Sequence, residues 1–183
     1  MFIQTEQTPN PETLKFIPGE VVLDSGTANF TSLEEAAVSP LASRLLELEG
    51  VGGVFLGHDF IAVTREDAVE WDFLKPSVLG HIMEHYTSGQ PIMAMSASDV
   101  AEDNSDDSPV VTQIKELLET RVRPAVAQDG GDIVFHSFDE EGTVYLRMQG
   151  ACSGCPSSTA TLKYGIQNLL THYIPEVKNV EAV

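Results

Sequence analysis

Cys152 and Cys155 are the two cysteines of this 183-residue chain, and they stand together in Gly150-Ala151-Cys152-Ser153-Gly154-Cys155-Pro156-Ser157-Ser158. Two thiols spaced by two residues on a tight loop can face one metal centre. Ser153-Gly154 keeps the bend small and leaves backbone N–H groups free for a bound sulfur. Pro156 lacks an N–H and presets the dihedral for the start of a helix. The positive end of that helix favours thiolate over thiol, and thiolate is the form that ligates iron or zinc. Arg147 and Lys163 are the nearby bases that add to this field.

Ligand counting sets the assembly. An iron–sulfur cluster normally takes four cysteines, and one chain brings two. Two chains related by a two-fold axis bring four, and such symmetric dimers are the commonest oligomers. A cluster held across an interface is easy to release, because the dimer can open. Three other readings of the same spacing stay open. Cys152 could be the nucleophile of a thiol–disulfide oxidoreductase, although that motif usually follows a parallel strand. The pair could hold zinc with His136 recruited, although a second C-x-x-C is missing from the chain. The cysteines could also be inert.

The loop needs elements to hold it. Ser108-Pro109 opens a helix with Val111, Ile114, Leu118 and Val122 at helical spacing, running into Arg123-Pro124 and ending near Asp129-Gly130-Gly131. Ile133–Phe138 and Thr143–Met148 are two strands around an acidic turn. Strict alternation puts Val134, His136 and Phe138 on one face, with Ile133 and Phe135 on the other. A helix from Ser157 or Ser158 carries Leu162, Ile166, Leu169, Leu170 and Tyr173, and Val177–Val183 makes a last short strand.

The fold class expected is α+β, with two small mixed domains joined by a flexible acidic linker. Residues 1–87 form the first domain, 88–109 the linker and 110–183 the second, which has a short, mainly antiparallel sheet packed against two helices. In the first domain, extended stretches are expected at Phe2–Gln7, Leu14–Phe16, Val21–Leu23 and Asn29–Thr31. A helix starts at Ser39-Pro40, a hairpin joins Val51–Leu56 to Asp59–Thr64, and a last helix spans Val69 to Tyr86. The linker is rich in Ser and Asp, and its Ile92, Met93 and Met95 form an apolar island expected to pack beside the preceding helix.

Charge narrows the partners. The formal net charge is −18, from 28 acidic and 10 basic residues. That excess repels nucleic acid and anionic lipid. Residues 1–87 hold 14 acids and 4 bases, whereas residues 110–183 hold 9 and 6, so the second domain is the better suited to meet a copy of itself. No apolar run approaches the roughly 18 residues of a membrane span. Met1–Phe16 has neither a basic stretch with an apolar core nor an Arg-rich composition, so no targeting segment is expected there. Two cysteines in one motif also fit a reducing compartment.

The second domain resembles the NifU C-terminal, or Nfu, family of iron–sulfur scaffolds and carriers. The resemblance rests on Arg123-Pro124, Asp129-Gly130-Gly131-Asp132-Ile133, the Cys152/Cys155 loop and Thr161-Leu162-Lys163-Tyr164-Gly165-Ile166. The first domain, with Thr8-Pro9-Asn10-Pro11 and Gly52-Gly53-Val54-Phe55, is similar to the N-terminal domain of mitochondrial-type and α-proteobacterial members. The resemblance implies a [4Fe–4S] cluster bridging two chains through Cys152 and Cys155, with [2Fe–2S] as the other form. It implies a homodimer on cluster binding, upstream cluster donors and apo iron–sulfur clients, of which lipoyl synthase and respiratory proteins are typical. It implies no catalysis, and either a bacterial cytoplasm or, for a processed eukaryotic form, the mitochondrial matrix. Asp129, Gly130, Gly131 and Asp132 match a block read as structural, its glycines permitting a tight helix-to-strand turn.

His81, Glu84 and His85 read H-x-x-E-H on the last helix of the first domain, and are taken as surface or packed residues rather than a zinc site. Trp71, Phe73 and Tyr86 are assigned to core or interface. Glu102-Asp103 and Asp106-Asp107 are assigned to solvated linker, and Ser157 to Thr159 to N-capping.

Overall fold

The computed structural model describes residues 1–94, 108–153 and 156–183. The chain divides into two compact units, Met1–Ala101 and Glu102–Val183. Both mix helices with sheet, so the class is α+β.

The first unit is a five-stranded antiparallel sheet with helices packed on it. Its strands are β1 (Gln4–Gln7), β2 (Thr13–Ile17), β3 (Ala28–Phe30), β4 (Val51–Leu56) and β5 (Ile61–Arg65), in the order β1-β2-β5-β4-β3. Thr8-Pro9-Asn10-Pro11 makes the turn from β1 to β2. There the Thr8 hydroxyl donates to the carbonyls of Asn10 (2.8 Å) and Thr13 (2.9 Å), while Asn10 Oδ1 accepts the Glu12 N–H at 3.0 Å. Helix α1 (Pro40–Leu46) begins as the sequence predicts, with Pro40 in its first turn and Ser39 Oγ accepting the Ala42 N–H at 3.2 Å. Helix α2 (Trp71–Ser88) buries Leu74, Val78 and Ile82 against the sheet and stops at Gly89, whose φ of 68° is left-handed.

One local expectation changes. Val21–Leu23 is not a strand: the Val22 and Leu23 N–H groups both donate to the His58 carbonyl, which tucks their side chains into the core. The apolar island after α2 packs locally, as its composition predicts. Ile92 and Met93 pack on the first core, the Ser39 hydroxyl donates to the Ile92 carbonyl at 2.6 Å, and the Ala94 N–H donates to the Val38 carbonyl at 2.7 Å. Met95 and the acid pairs Glu102-Asp103 and Asp106-Asp107 lie outside the described residues.

The second unit opens with helix α3 (Pro109–Leu117), capped by Ser108. It widens into a π-type segment, Leu118–Val122, then continues as α4 (Arg123–Gln128). Pro124 explains the widening: it brings no N–H for the usual carbonyl four residues back, and its ring crowds that turn. Ile114, Leu118, Val122 and Val126 form the buried stripe. Gly130, at φ 79°, turns the chain into β6 (Gly131–Phe138), which pairs with β7 (Thr143–Gly150). Helix α5 (Pro156–Tyr173) follows, and β8 (Asn179–Ala182) runs parallel to β7, giving the order β6-β7-β8.

Strict alternation along β6 does not hold. The register steps from Phe135↔Leu146 to Ser137↔Tyr145, leaving His136 as a bulge. The extra residue inverts the parity, so Phe138 joins Ile133 and Phe135 against the core while His136 is exposed.

Candidate metal centre

Cys152 sits in the turn between β7 and α5 and is 3% exposed, a member of the second unit's core. Cys155 lies outside the described residues. Two short bonds shape the turn. The Ala151 N–H donates to the Gly130 carbonyl at 3.2 Å, and the Ser153 N–H donates to the Gly150 carbonyl at 3.0 Å. Gly150 carries φ 62°, a conformation that favours glycine.

Gly131 is the floor of this site. A Cβ added there would stand 2.4 Å from Cys152 Sγ and 2.9 Å from its backbone nitrogen. Only a hydrogen fits where the thiol comes to rest. Gly131 therefore leaves room for the Cys152 sulfur, and the soft thiolate is a ligand type suited to iron–sulfur chemistry. This gives Asp129-Gly130-Gly131-Asp132 a sharper role than a permissive turn. Gly130 turns the chain, Gly131 backs the sulfur, and Asp132 anchors the strand.

Asp132 is 2% exposed. Arg123 grips it with both arms of its guanidinium: Nε donates to Oδ1 at 2.9 Å and Nη2 to Oδ2 at 2.8 Å. Oδ1 also accepts the Ile133 N–H at 2.8 Å, and Arg123 Nη1 donates to the Glu119 carboxylate. The Asp132 bonds, more than the Glu119 one, hold the Arg123 guanidinium well above its ordinary pKa, so it stays charged. With both oxygens engaged, Asp132 is committed to structure rather than ligation. Asp129 caps α4 and is exposed.

Several expected contributors are placed elsewhere. Lys163 Nζ donates to Glu181 at 2.8 Å, and that bond holds the Glu181 carboxyl below its usual range. Lys163 thus ties α5 to β8 instead of lending its charge to the loop. Arg147 is exposed on β7, opposite Val134. His136 is exposed, its Nδ1 3.1 Å from Ser137 Oγ. Among the described residues no three His, Cys, Asp or Glu side chains converge as a metal site. His81 and His85 diverge: His81 Nδ1 donates to the Ser77 carbonyl at 2.8 Å, and His85 is fully buried. Trp71 packs on the first core beside Phe16, at 6.3 Å between ring centroids, whereas Phe73 is exposed.

The topology around the cysteine loop is compatible with redox chemistry too. The cysteine loop does follow an antiparallel hairpin, but β7 is also the first strand of a parallel β7-α5-β8 crossover. A strand-to-helix turn of that kind is where thiol–disulfide pairs also sit, so the topology does not separate the two readings. The signal missed in the sequence was the partnership of Arg123 with Asp132. The Arg-Pro pair ahead of Asp-Gly-Gly-Asp could have suggested it.

Two domain families match the chain. One, described as "Scaffold protein Nfu/NifU N terminal", covers residues 3–89, and the other, described as "NifU-like domain", covers residues 114–181. The chain is 54% identical to "NifU-like protein 4, mitochondrial" of Arabidopsis thaliana, over 99% of this chain and 65% of that protein. It is 50% identical to "NFU1 iron-sulfur cluster scaffold homolog, mitochondrial" of Homo sapiens, over 100% of this chain and 72% of that one. The chain spans about two thirds of the length of these relatives. A solution NMR structure of a NifU-like protein from Saccharomyces cerevisiae aligns over 52% of this chain and 87% of its own, at 24% identity and a TM-score of 0.47. A two-unit α+β chain with Cys152 following the second unit's hairpin, matched in both halves, defines its class. The chain belongs to the Nfu/NifU family, with both the N-terminal and the NifU-like domain.

Proposed function

We propose that this chain is an iron–sulfur cluster scaffold or carrier that holds its cargo through Cys152 and Cys155 and passes it to apo-proteins. The observation that carries this reading is the sulfur inventory: two cysteines, both in one loop, on a glycine floor that leaves room for the Cys152 thiol. The cargo is a [4Fe–4S] cluster bridging two chains, since one chain brings half of the usual four thiolates. Upstream donors supply it and apo clients receive it, with no turnover by the chain itself. Both named relatives are mitochondrial by name, and the human one is named an iron-sulfur cluster scaffold homolog; this supports a matrix location for a eukaryotic form, while a bacterial form would work in the cytoplasm. The acidic part of 88–109 tethers the two units, while Ile92 and Met93 stay with the first core.

Anaerobic reconstitution with iron and sulfide tests this. The expected result is visible charge-transfer absorption, about four irons per dimer and a shift from monomer to dimer. Cys152→Ala or Cys155→Ala should abolish all three while the far-ultraviolet circular dichroism stays unchanged. Protein that stays colourless and monomeric ends the proposal. Efficient insulin reduction without cluster uptake would favour a thiol–disulfide oxidoreductase instead.

A further inference from the structure

We infer that Arg123 is a positioning residue for Cys152, acting through Asp132 and Gly131. The contacts form one continuous chain. The π-type segment Leu118–Val122 and Pro124 set the turn from which Arg123 projects. Its guanidinium meets Asp132 in a two-bond fork at 2.9 and 2.8 Å. Asp132 in turn fixes the Ile133 N–H at 2.8 Å, so the carboxylate sets the peptide planes at the start of β6. Gly131 is the residue before it, and Cys152 Sγ rests on the Gly131 Cα hydrogen. Gly131 also pairs with Gly150, and the Gly130 carbonyl accepts the Ala151 N–H. Any shift of the Asp132 peptide therefore moves the seat of the sulfur. A buried ion pair contributes little net stability compared with apolar packing. Its forked geometry, however, restricts orientation in a way that Lys, a point charge on a flexible stem, does not.

The inference concerns the thiol's position and can be read in the cluster-free chain; its cluster readout rests on the function proposed above. The experiment measures the rate at which iodoacetamide alkylates Cys152 in a folded Cys155→Ser chain. It compares Arg123, R123K and R123Q from about pH 6.5 to 9, the range over which a free thiol near 8.5 ionises. Both variants should alkylate about tenfold faster, equivalent to about 1.4 kcal/mol of eased access, with unchanged secondary structure. In chains with both cysteines, R123K loaded with iron and sulfide should give an altered visible dichroism. If the variants lower the melting temperature but leave alkylation within about twofold of the parent, Arg123 only braces the helix and the inference falls. If R123Q does not fold, R123K decides alone. If the parent chain takes up no cluster, the proposed function fails while the alkylation comparison still decides the positioning role.

Discussion

Asp132 and His85 are both buried, one in each unit, and their surroundings treat charge in opposite ways. Asp132 is met by polar partners: the Arg123 guanidinium and the Ile133 N–H replace the water it loses. His85 is handled by exclusion. Among the described residues neither ring nitrogen makes a hydrogen bond of good geometry, and burial, with the Arg44 guanidinium adding to it, outweighs the nearby Pro91 and Gln90 backbone and pushes the ring's pKa down. Its ring serves as packing on α2, edge-on to Tyr86 at 6.2 Å, and burial pushes the Tyr86 phenol up to about 12. The first unit thus uses an ionisable group as an apolar filler. The second spends an ion pair on geometry next to a thiol. Ionic bonding is concentrated where a position must be held.

The largest effect should come from breaking the satisfied pair on one side. Asp132→Ala leaves the Arg123 guanidinium with Glu119 alone and removes the acceptor for Ile133, at a cost of about 3 kcal/mol. The low end of the usual range applies because the Arg123 side chain is 26% exposed. Urea unfolding of the second unit measures it, and a loss under about 1 kcal/mol would mean the pair is replaceable.

Gly131→Ala comes next. Its new methyl must displace Cys152 Sγ from 2.4 Å, an overpacking cost of about 2 kcal/mol. It should also leave Cys152 more reactive to alkylating agents, and a stable variant with an unreactive thiol would contradict the glycine-floor account.

His85 gives the third, a pH effect of defined sign. Its folded-state pKa lies below the ordinary 6.5, so the unfolded chain binds the proton first. The first unit therefore keeps this stability above about pH 6.5 and loses it as the pH falls through and below that value. His85→Phe should flatten the melting temperature of the first unit between about pH 7.5 and 5.5. An identical slope in the variant would sink the comparison between the two buried groups.

The smallest effect belongs to Lys163. Its pair with Glu181 is 28% and 42% exposed at the two side chains, and Lys163→Met should cost about 0.5 kcal/mol or less. A larger drop in melting temperature would mean that β8 depends on it.

Much of this was legible in the residues. Caps at Ser39-Pro40 and Ser108-Pro109 and the helical stripe Ile114, Leu118, Val122 read directly, because each rests on local backbone chemistry. What stayed hidden was non-local. The bulge at His136 depends on the register against β7, and the parallel seat of β8 depends on where α5 returns the chain. The grip of Arg123 on Asp132 joins residues nine positions apart across a turn, and no periodicity encodes it. At the site, the cysteine motif announced itself by spacing. The reason for Gly131 emerged only when the sulfur was seen resting on it.

The 3% exposure of Cys152 has a consequence for durability. Oxidation of a thiol toward sulfenic and sulfinic acid needs an exposed thiolate that peroxide can reach. Tucked into the core, the Cys152 sulfur is shielded from that chemistry for as long as its turn stays shut. The fold therefore protects this thiol from irreversible oxidation.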